Sequence, residues 1–301
     1  MKPILSVSRR TDIPAYYAQW WLRAVRRGHC TIPNPVSGKP VHVPLAAEHW
    51  AGVVYWTRNP GPLLPHLDEL DRHFGQRVAF QVTLNGMPRE LERRNPPVEL
   101  ALKQMARLSE RYGPRSLSWR FDPIVLTDTH GPDQVLERFR RLAGALSGKV
   151  GRCIFSFVDD YRKVLDNFAS LERDTGIRRL SPTRDQRLEL THQLLQVARE
   201  AGIALQACCE DELLAVPGIE KARCLDCEQL VVRPHGRSPR SQPTREQCAC
   251  HASRDVGTYD SCPHGCLYCY ANRNPERALA FHQGYLDAGR RLPLDDRGPT
   301  A

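Results

Sequence analysis

The sequence predicts an α/β fold, a TIM-like (β/α) barrel, on three observations. Short β-branched or aromatic runs alternate with longer segments of helical period. Glycines stand where several of those helical segments must stop. Polar residues collect just beyond the strand ends, where a parallel barrel gathers its reacting groups.

The first predicted strand, Ile4 to Ser8, runs into the polar stretch Ser8-Arg9-Arg10-Thr11-Asp12. Asp12 and Pro14 then open a helix over Ala15 to Arg27, which Gly28 closes. The second strand, Val53 to Thr57, is followed by Arg58 and Asn59 and by a helix over Leu63 to Phe74 that ends at Gly75. The third, Val78 to Leu84, ends at Thr83 and Asn85 and precedes a helix over Val98 to Tyr112. The fourth, Leu117 to Phe121, sits in Trp119-Arg120-Phe121-Asp122-Pro123-Ile124, with a helix over Asp133 to Leu146 behind it. The fifth, Cys153 to Val158, ends at Asp159 and Asp160, and helices over Val164 to Arg173 and Thr183 to Ala201 follow. The sixth, Ile203 to Cys208, leads to Glu210. These helical segments read apolar at i, i+3, i+4 and i+7.

The expected organisation is a barrel core over 1–210, a cysteine-containing insert or crossover over 211–255, a strand, loop and helix closing the barrel over 256–291, and a tail over 292–301. Pro217-Gly218, Pro234-His235-Gly236 and the polar run Arg237 to Gln247 mark the insert, and so long an irregular segment calls for a function or a metal to order it.

At 301 residues and 41% hydrophobic content the chain can bury a sizeable core. No run approaches the ~18 apolar residues of a membrane span, and the start turns polar too soon for a signal peptide. A cytoplasmic protein with no membrane partner is expected. Seven of the eleven cysteines fall within 224–269, which in a reducing compartment favours metal ligation over disulfides. The formal charge of +9 suits anionic partners such as nucleic acid. The arginines are nonetheless spread over Arg23-Arg26-Arg27, Arg93-Arg94, Arg138-Arg140-Arg141 and Arg290-Arg291, as solvated helix faces would have them.

The most informative run is Ser261-Cys262-Pro263-His264-Gly265-Cys266-Leu267-Tyr268-Cys269-Tyr270-Ala271, with cysteines spaced C-x3-C-x2-C. Three thiolates on an iron–sulfur cubane leave one iron free for an exchangeable ligand. A zinc knuckle or a structural cluster is the competing reading. Elsewhere, Arg120 is a charge inside an apolar run, with Asp122 its obvious partner. Arg9, Arg10 and Arg58 are candidate anion or substrate contacts, with Asn59 and Glu210 beside them at the strand ends. Walker, G-x-G-x-x-G, G-x-S-x-G and H-E-x-x-H motifs are absent. Cys224-x2-Cys227 and Cys248-x-Cys250-His251, with Cys208-Cys209 before them, offer soft ligands for a second site holding zinc or an iron–sulfur cluster.

Cys-Pro-His-Gly-Cys-Leu-Tyr-Cys-Tyr-Ala resembles the cluster loop of radical S-adenosylmethionine (SAM) enzymes, especially the photolyase-like branch related to spore photoproduct lyase. With Ser-Arg-Arg-Thr-Asp-Ile-Pro at 8–14 and Trp-Arg-Phe-Asp-Pro-Ile at 119–124, it also resembles domain-of-unknown-function family 1848 over nearly the whole chain. The resemblance implies that Cys262, Cys266 and Cys269 bind a [4Fe-4S] cluster whose free iron takes the amino and carboxylate groups of SAM, with Tyr268 beside the adenine. It implies a reductive cleavage of SAM to a 5′-deoxyadenosyl radical, an electron donor such as flavodoxin or ferredoxin, and nucleic acid as the first substrate class to test.

In that superfamily the cluster loop follows the first barrel strand, whereas here only about 30 residues follow it. A strand near Val256 to Tyr259 pairing beside Ile4 to Ser8 would make the chain a circularly permuted radical SAM barrel. The superfamily's glycine-rich acidic segment for the SAM amino group is missing; Arg9 and Arg10 stand in its place. Arg120 and Asp122 are the catalytic candidates. The resembling family shares the positions of Cys224, Cys248 and Cys250 better than that of Cys227, so the expected ligands of the second site are Cys208, Cys224, Cys248 and Cys250. Two rival functions remain: a non-catalytic nucleic-acid-binding protein with a structural zinc or iron–sulfur site, and a metal-dependent hydrolase barrel using Asp12, Asp122 and Glu210.

Overall fold

The computed structural model of the chain describes residues 2–232 and 240–292. The expected turn Pro234-His235-Gly236 and the tail beyond Leu292 lie outside the described residues. Eight strands, β1 Ile4–Val7, β2 Gly52–Thr57, β3 Val78–Thr83, β4 Leu117–Ile124, β5 Arg152–Phe157, β6 Ala204–Ala207, β7 Glu220–Lys221 and β8 Ser253–Asp255, make one sheet in the order β7-β6-β5-β4-β3-β2-β1-β8. Every neighbouring pair is parallel. Sequential parallel order requires a crossover between neighbours, and helices over Ala18–Arg27, Leu67–Phe74, Val98–Tyr112, Pro132–Leu146 and Arg184–Glu200 supply most of them.

The last strand therefore pairs with the first, Ile4 opposite Ser253, while Ile4 faces Gly52 on its other side. It lies at Ser253–Asp255 rather than near Val256 to Tyr259, although Val256 N still donates to Ser6 O at 3.0 Å. The eight-stranded parallel sheet is compatible with the expected TIM-like barrel, but its closure is not seen: among the described residues β7 and β8 remain its two edges. Both edges are short, and a backbone bond from His251 N to Leu225 O at 3.0 Å links the chain before β8 to the chain after β7.

Strand alternation sorts the side chains onto two faces. Leu5, Val53, Tyr55, Phe80, Trp119, Phe121, Phe155 and Leu205 join the helices in the main core. Ile4, Val54, Ala79 and Ile154 point the other way, against Cys208, Ala222, Cys224, Leu225, Leu230 and Cys250. The insert is thus the cover of the second face, held by Gln81 Nε2 donating to Cys224 O at 2.9 Å. An antiparallel hairpin, His29–Pro33 with Pro40–Pro44, interrupts the first crossover. No helix among the described residues is long and apolar enough to cross a membrane.

Candidate functional site

The cysteine loop docks beyond the strand ends rather than hanging free. From the segment after β1, the Tyr17 hydroxyl donates to Ser261 O at 2.6 Å, Thr11 Oγ1 donates to Thr258 O at 2.7 Å, and Asp12 Oδ2 lies 2.7 Å from His264 Nε2. From the segment after β3, Arg94 N donates to His264 O at 3.1 Å, and Leu267 N to Leu91 O at 3.0 Å. Asn167, on the helix Arg162–Thr175 after β5, donates to Leu267 O at 2.7 Å. Gly265 has φ +69°, a conformation that asks for glycine. His264 is a structural loop residue in this setting, bonded to Asp12 and edge-on to Tyr16.

Tyr268 reaches inward from the loop to a buried polar cluster. Arg58 Nη2 donates to its hydroxyl at 2.7 Å and Arg58 Nη1 donates to Glu92 Oε1 at 2.8 Å. Asn85 Nδ2 donates to the same hydroxyl at 3.0 Å, and the hydroxyl itself donates to Glu92. Burial works against the Glu92 charge, yet Arg58 and the bonds from Tyr268 and Asn95 hold its carboxyl below the usual range. A cavity of about 160 Å³ opens beside this cluster, lined by Arg58, Asn85, Met87, Arg89, Glu92 and Asn95 among others.

Cys262, Cys266 and Cys269 are unpaired and half-buried. Burial pushes the Cys266 thiol up to about 12 and raises the Cys262 thiol as well, and nearby thiolate charge adds to both. Cys269 Sγ accepts an N–H bond from Ala271 at 3.3 Å. Among the described residues no three or more His, Cys, Asp or Glu side chains converge on a point as a ready site for one metal ion. A cubane makes a different demand, since each thiolate binds its own iron. Three adjacent thiols without a fourth protein ligand, one of them already receiving an amide N–H, fit that donor set.

Arg9 and Arg10 stand on the strand-end side of this loop. Arg9 N donates to Asp255 Oδ2 at 2.8 Å, its Nε lies 3.6 Å from the same oxygen, and the Tyr270 hydroxyl donates to Arg9 O at 2.8 Å. Arg10 Nη1 donates to Gly257 O at 3.1 Å, and its guanidinium lies over the Tyr259 ring. Asp255, which the sequence reading missed, also accepts from Ser6 Oγ at 2.8 Å and Ser8 Oγ at 2.6 Å. Only its place on the last strand, two residues before a glycine, could have pointed to it.

Arg120 and Asp122 form the expected pair on the insert-facing side of β4; Arg120 also donates to Cys224 Sγ at 3.1 Å, and Ser156 Oγ donates to Asp122. Glu210 accepts from Phe157 N at 2.9 Å and from Arg187 Nη1 at 3.1 Å. Burial lifts its carboxyl to about 7. Asn59 stays outside these groups, because its Oδ1 accepts from Gln104 Nε2 at 2.9 Å and from Gly61 N at 3.2 Å. Cys208, Cys224, Cys227 and Cys250 share one buried cluster on the second face, with Cys209 and Cys248 packed against it.

The family model described as "Domain of unknown function (DUF1848)" matches residues 4–271. No curated protein matches the chain. Among solved structures, a D-hydantoinase is 11% identical with a TM-score of 0.31, over 62% of this chain and 42% of that one. A D-hydantoinase from a Bacillus sp. AR9 is 9% identical with a TM-score of 0.29, over 57% and 37%. An L-hydantoinase (dihydropyrimidinase) from Arthrobacter aurescens is 12% identical with a TM-score of 0.26, over 55% and 35%. The chain spans less than half the length of each of these structures.

Proposed function

The chain belongs to the DUF1848 family, and from its loop of three thiols we propose that it is a radical SAM-type iron–sulfur enzyme on a circularly permuted (β/α) barrel. One observation carries the reading: Cys262, Cys266 and Cys269 are unpaired on one short loop that is pinned beyond the ends of parallel strands. In a parallel α/β fold that edge is where chemistry is assembled. Pairing of β8 with β1 supports the permutation, because the loop then follows a strand beside the N-terminal one.

In this reading Cys262, Cys266 and Cys269 would hold a [4Fe-4S] cluster. Such a cluster, reduced by flavodoxin or ferredoxin, supplies the electron that cleaves SAM to methionine and a 5′-deoxyadenosyl radical able to take hydrogen from a substrate. Arg9 and Arg10 would bind the SAM carboxylate, both being partly exposed while tied to Asp255. Tyr268 would flank the adenine, with its ring orientation fixed by Arg58, Asn85 and Glu92. Arg58 and Glu210 would meet substrate, and Arg120 with Asp122 would orient it. The formal charge of +9 makes nucleic acid the first substrate class to test.

The test is anaerobic reconstitution with iron and sulfide, then dithionite and SAM, with 5′-deoxyadenosine as the readout. Product that vanishes in each of Cys262→Ala, Cys266→Ala and Cys269→Ala supports the reading. A colourless protein that retains zinc and leaves SAM intact replaces it with the non-catalytic binding protein.

A further inference from the structure

We propose that Cys208, Cys209, Cys224, Cys248 and Cys250 build a second metal centre, separate from the Cys262–Cys269 loop, in which four of these thiols hold one thiophilic divalent ion of the zinc class. Cys208 Sγ lies 3.4 Å from Cys224 Sγ and 3.9 Å from Cys209 Sγ. Cys250 lies in the same buried cluster, and Cys248 packs against it. All five are free thiols.

Their places in the chain give the site a purpose. Cys208 and Cys209 follow β6, Cys224 follows β7, and Cys248 and Cys250 precede β8. The group therefore sits between the two sheet edges, which share no strand ladder among the described residues, beside the backbone bond from His251 N to Leu225 O at 3.0 Å. An ion there would staple β7 to β8 across that gap and order a segment with little regular structure of its own.

Sulfur spacing favours a single ion over a cubane. With metal–sulfur bonds of about 2.3 Å, the edge of a four-thiolate tetrahedron is about 3.8 Å, close to the 3.4 and 3.9 Å separations here. Thiolates on the separate irons of a cubane stand farther apart. The thiols share one cluster and do not yet surround a common point, so binding requires them to turn inward about χ1, each giving up its proton to solvent.

Charge and amide donors match a thiolate centre as well. Four thiolates on a divalent ion carry a net charge of about −2; Arg120 Nη1, whose other partner is Asp122, donates to Cys224 Sγ at 3.1 Å. Leu225 N donates to Cys250 Sγ at 3.4 Å. Simple packing of small apolar side chains has a different look in this molecule: Cys30 and Cys153 are fully buried in the main core among apolar neighbours. Cys227 is left out because, although it shares this buried cluster, no sulfur contact joins it to the other thiols among the described residues.

The test uses the full chain carrying Cys262→Ala, Cys266→Ala and Cys269→Ala, which silences the other loop and makes this result independent of the SAM assay. Elemental analysis after exhaustive dialysis is expected to find about one zinc per chain. That metal should be lost when Cys224→Ser and Cys250→Ser are added, and kept when Cys227→Ser is added instead. Should the five-site variant fail to fold, Co²⁺ added to the metal-stripped triple variant is expected to give thiolate-to-cobalt charge-transfer bands and tetrahedral d–d bands. Absence of both bound zinc and those bands overturns the proposal, as does a disulfide between Cys208 and Cys224 in the intact mass. Several irons with matching inorganic sulfide would overturn the single-ion form.

Discussion

Arg58 Nη2 donates to the Tyr268 hydroxyl at 2.7 Å, which ties the residue just beyond β2 to the loop that carries the three adjacent cysteines. Arg58 also donates through Nη1 to Glu92 at 2.8 Å, and its backbone N donates to Asp12 Oδ2 at 2.7 Å. Three segments far apart in sequence thus meet on one residue, two of them on its guanidinium. The loop's position depends on a buried charge pair and not on apolar packing alone.

Arg58→Ala should destabilise the protein by about 3–5 kcal/mol, because it leaves the Glu92 carboxylate buried without its counter-charge. Adding Glu92→Gln should recover part of that loss, making the double variant less unstable than the two single losses summed. Tyr268→Phe should cost less, about 1–2 kcal/mol, since Arg58 keeps Glu92 as partner. Urea unfolding of the four proteins checks the ordering, and strict additivity would refute the coupling.

Asp12→Ala is expected to free the cysteine loop before the sheet unfolds. Its carboxylate accepts from Thr57 Oγ1 at 2.7 Å, Arg58 N at 2.7 Å and Ala15 N at 3.0 Å, besides its contact with His264. Loss of the helix cap alone costs about 1 kcal/mol, and the donors left without partners add to it. Hydrogen exchange or limited proteolysis should show residues 258–270 opening first. Uniform destabilisation with no local opening would count against this role.

Much of this architecture was legible from periodicity. Strands and helices with a buried stripe, such as Val78–Thr83 and Val98–Tyr112, announce themselves because one packed face imposes its period. β7 and β8 have only two and three residues, too few to carry a period, so the open edge was not visible and a closed barrel was expected. In the site, Arg120 with Asp122 could be read as a pair because a charge in an apolar run needs a neighbour nearby in sequence. The Arg58–Glu92–Tyr268 group could not, since Tyr268 and Arg58 lie 210 positions apart and only the sheet order brings them together. Cys209 was passed over beside Cys208 for a similar reason: its φ of 58° turns the chain locally, which no side-chain pattern reports.

Stability should respond to Glu210 with a definite sign. Its carboxyl rises from 4.5 to about 7 in the folded protein through burial, with Asp122 and Asp159 adding to the rise, against the pull of Phe157 N–H and Arg187. Between those values the native state holds more protons than the unfolded one, so Glu210 costs stability as pH climbs through that window. Glu210→Gln should therefore gain on the parent from pH 5 to pH 8, by up to about 3 kcal/mol. Asp255 and Glu92 act in the opposite sense, because their depressed values give stability that is lost only as pH falls below the ordinary carboxylate range. Paired denaturation curves at several pH values check this, and a difference between Glu210→Gln and the parent that is flat with pH would refute it.

Gly257→Ala tests the join between the last strand and the first. A Cβ at 257 would overlap Ser8 Oγ and stand 2.7 Å from Ser8 Cβ and 3.3 Å from Asp255 Oδ1. Ser8 cannot yield cheaply, because its Oγ donates to Asp255 at 2.6 Å and accepts from Arg10 N at 3.1 Å. Overpacking of this kind costs about 1–3 kcal/mol, and displacing Ser8 removes one donor from a buried carboxylate as well. Adding Ser8→Ala relieves only the contact with Oγ, since the β-carbon at 2.7 Å remains. The double variant should therefore stay less stable than Ser8→Ala alone. Thermal unfolding of both singles and the double decides it: if Gly257→Ala matches the parent, the two strands do not approach this closely.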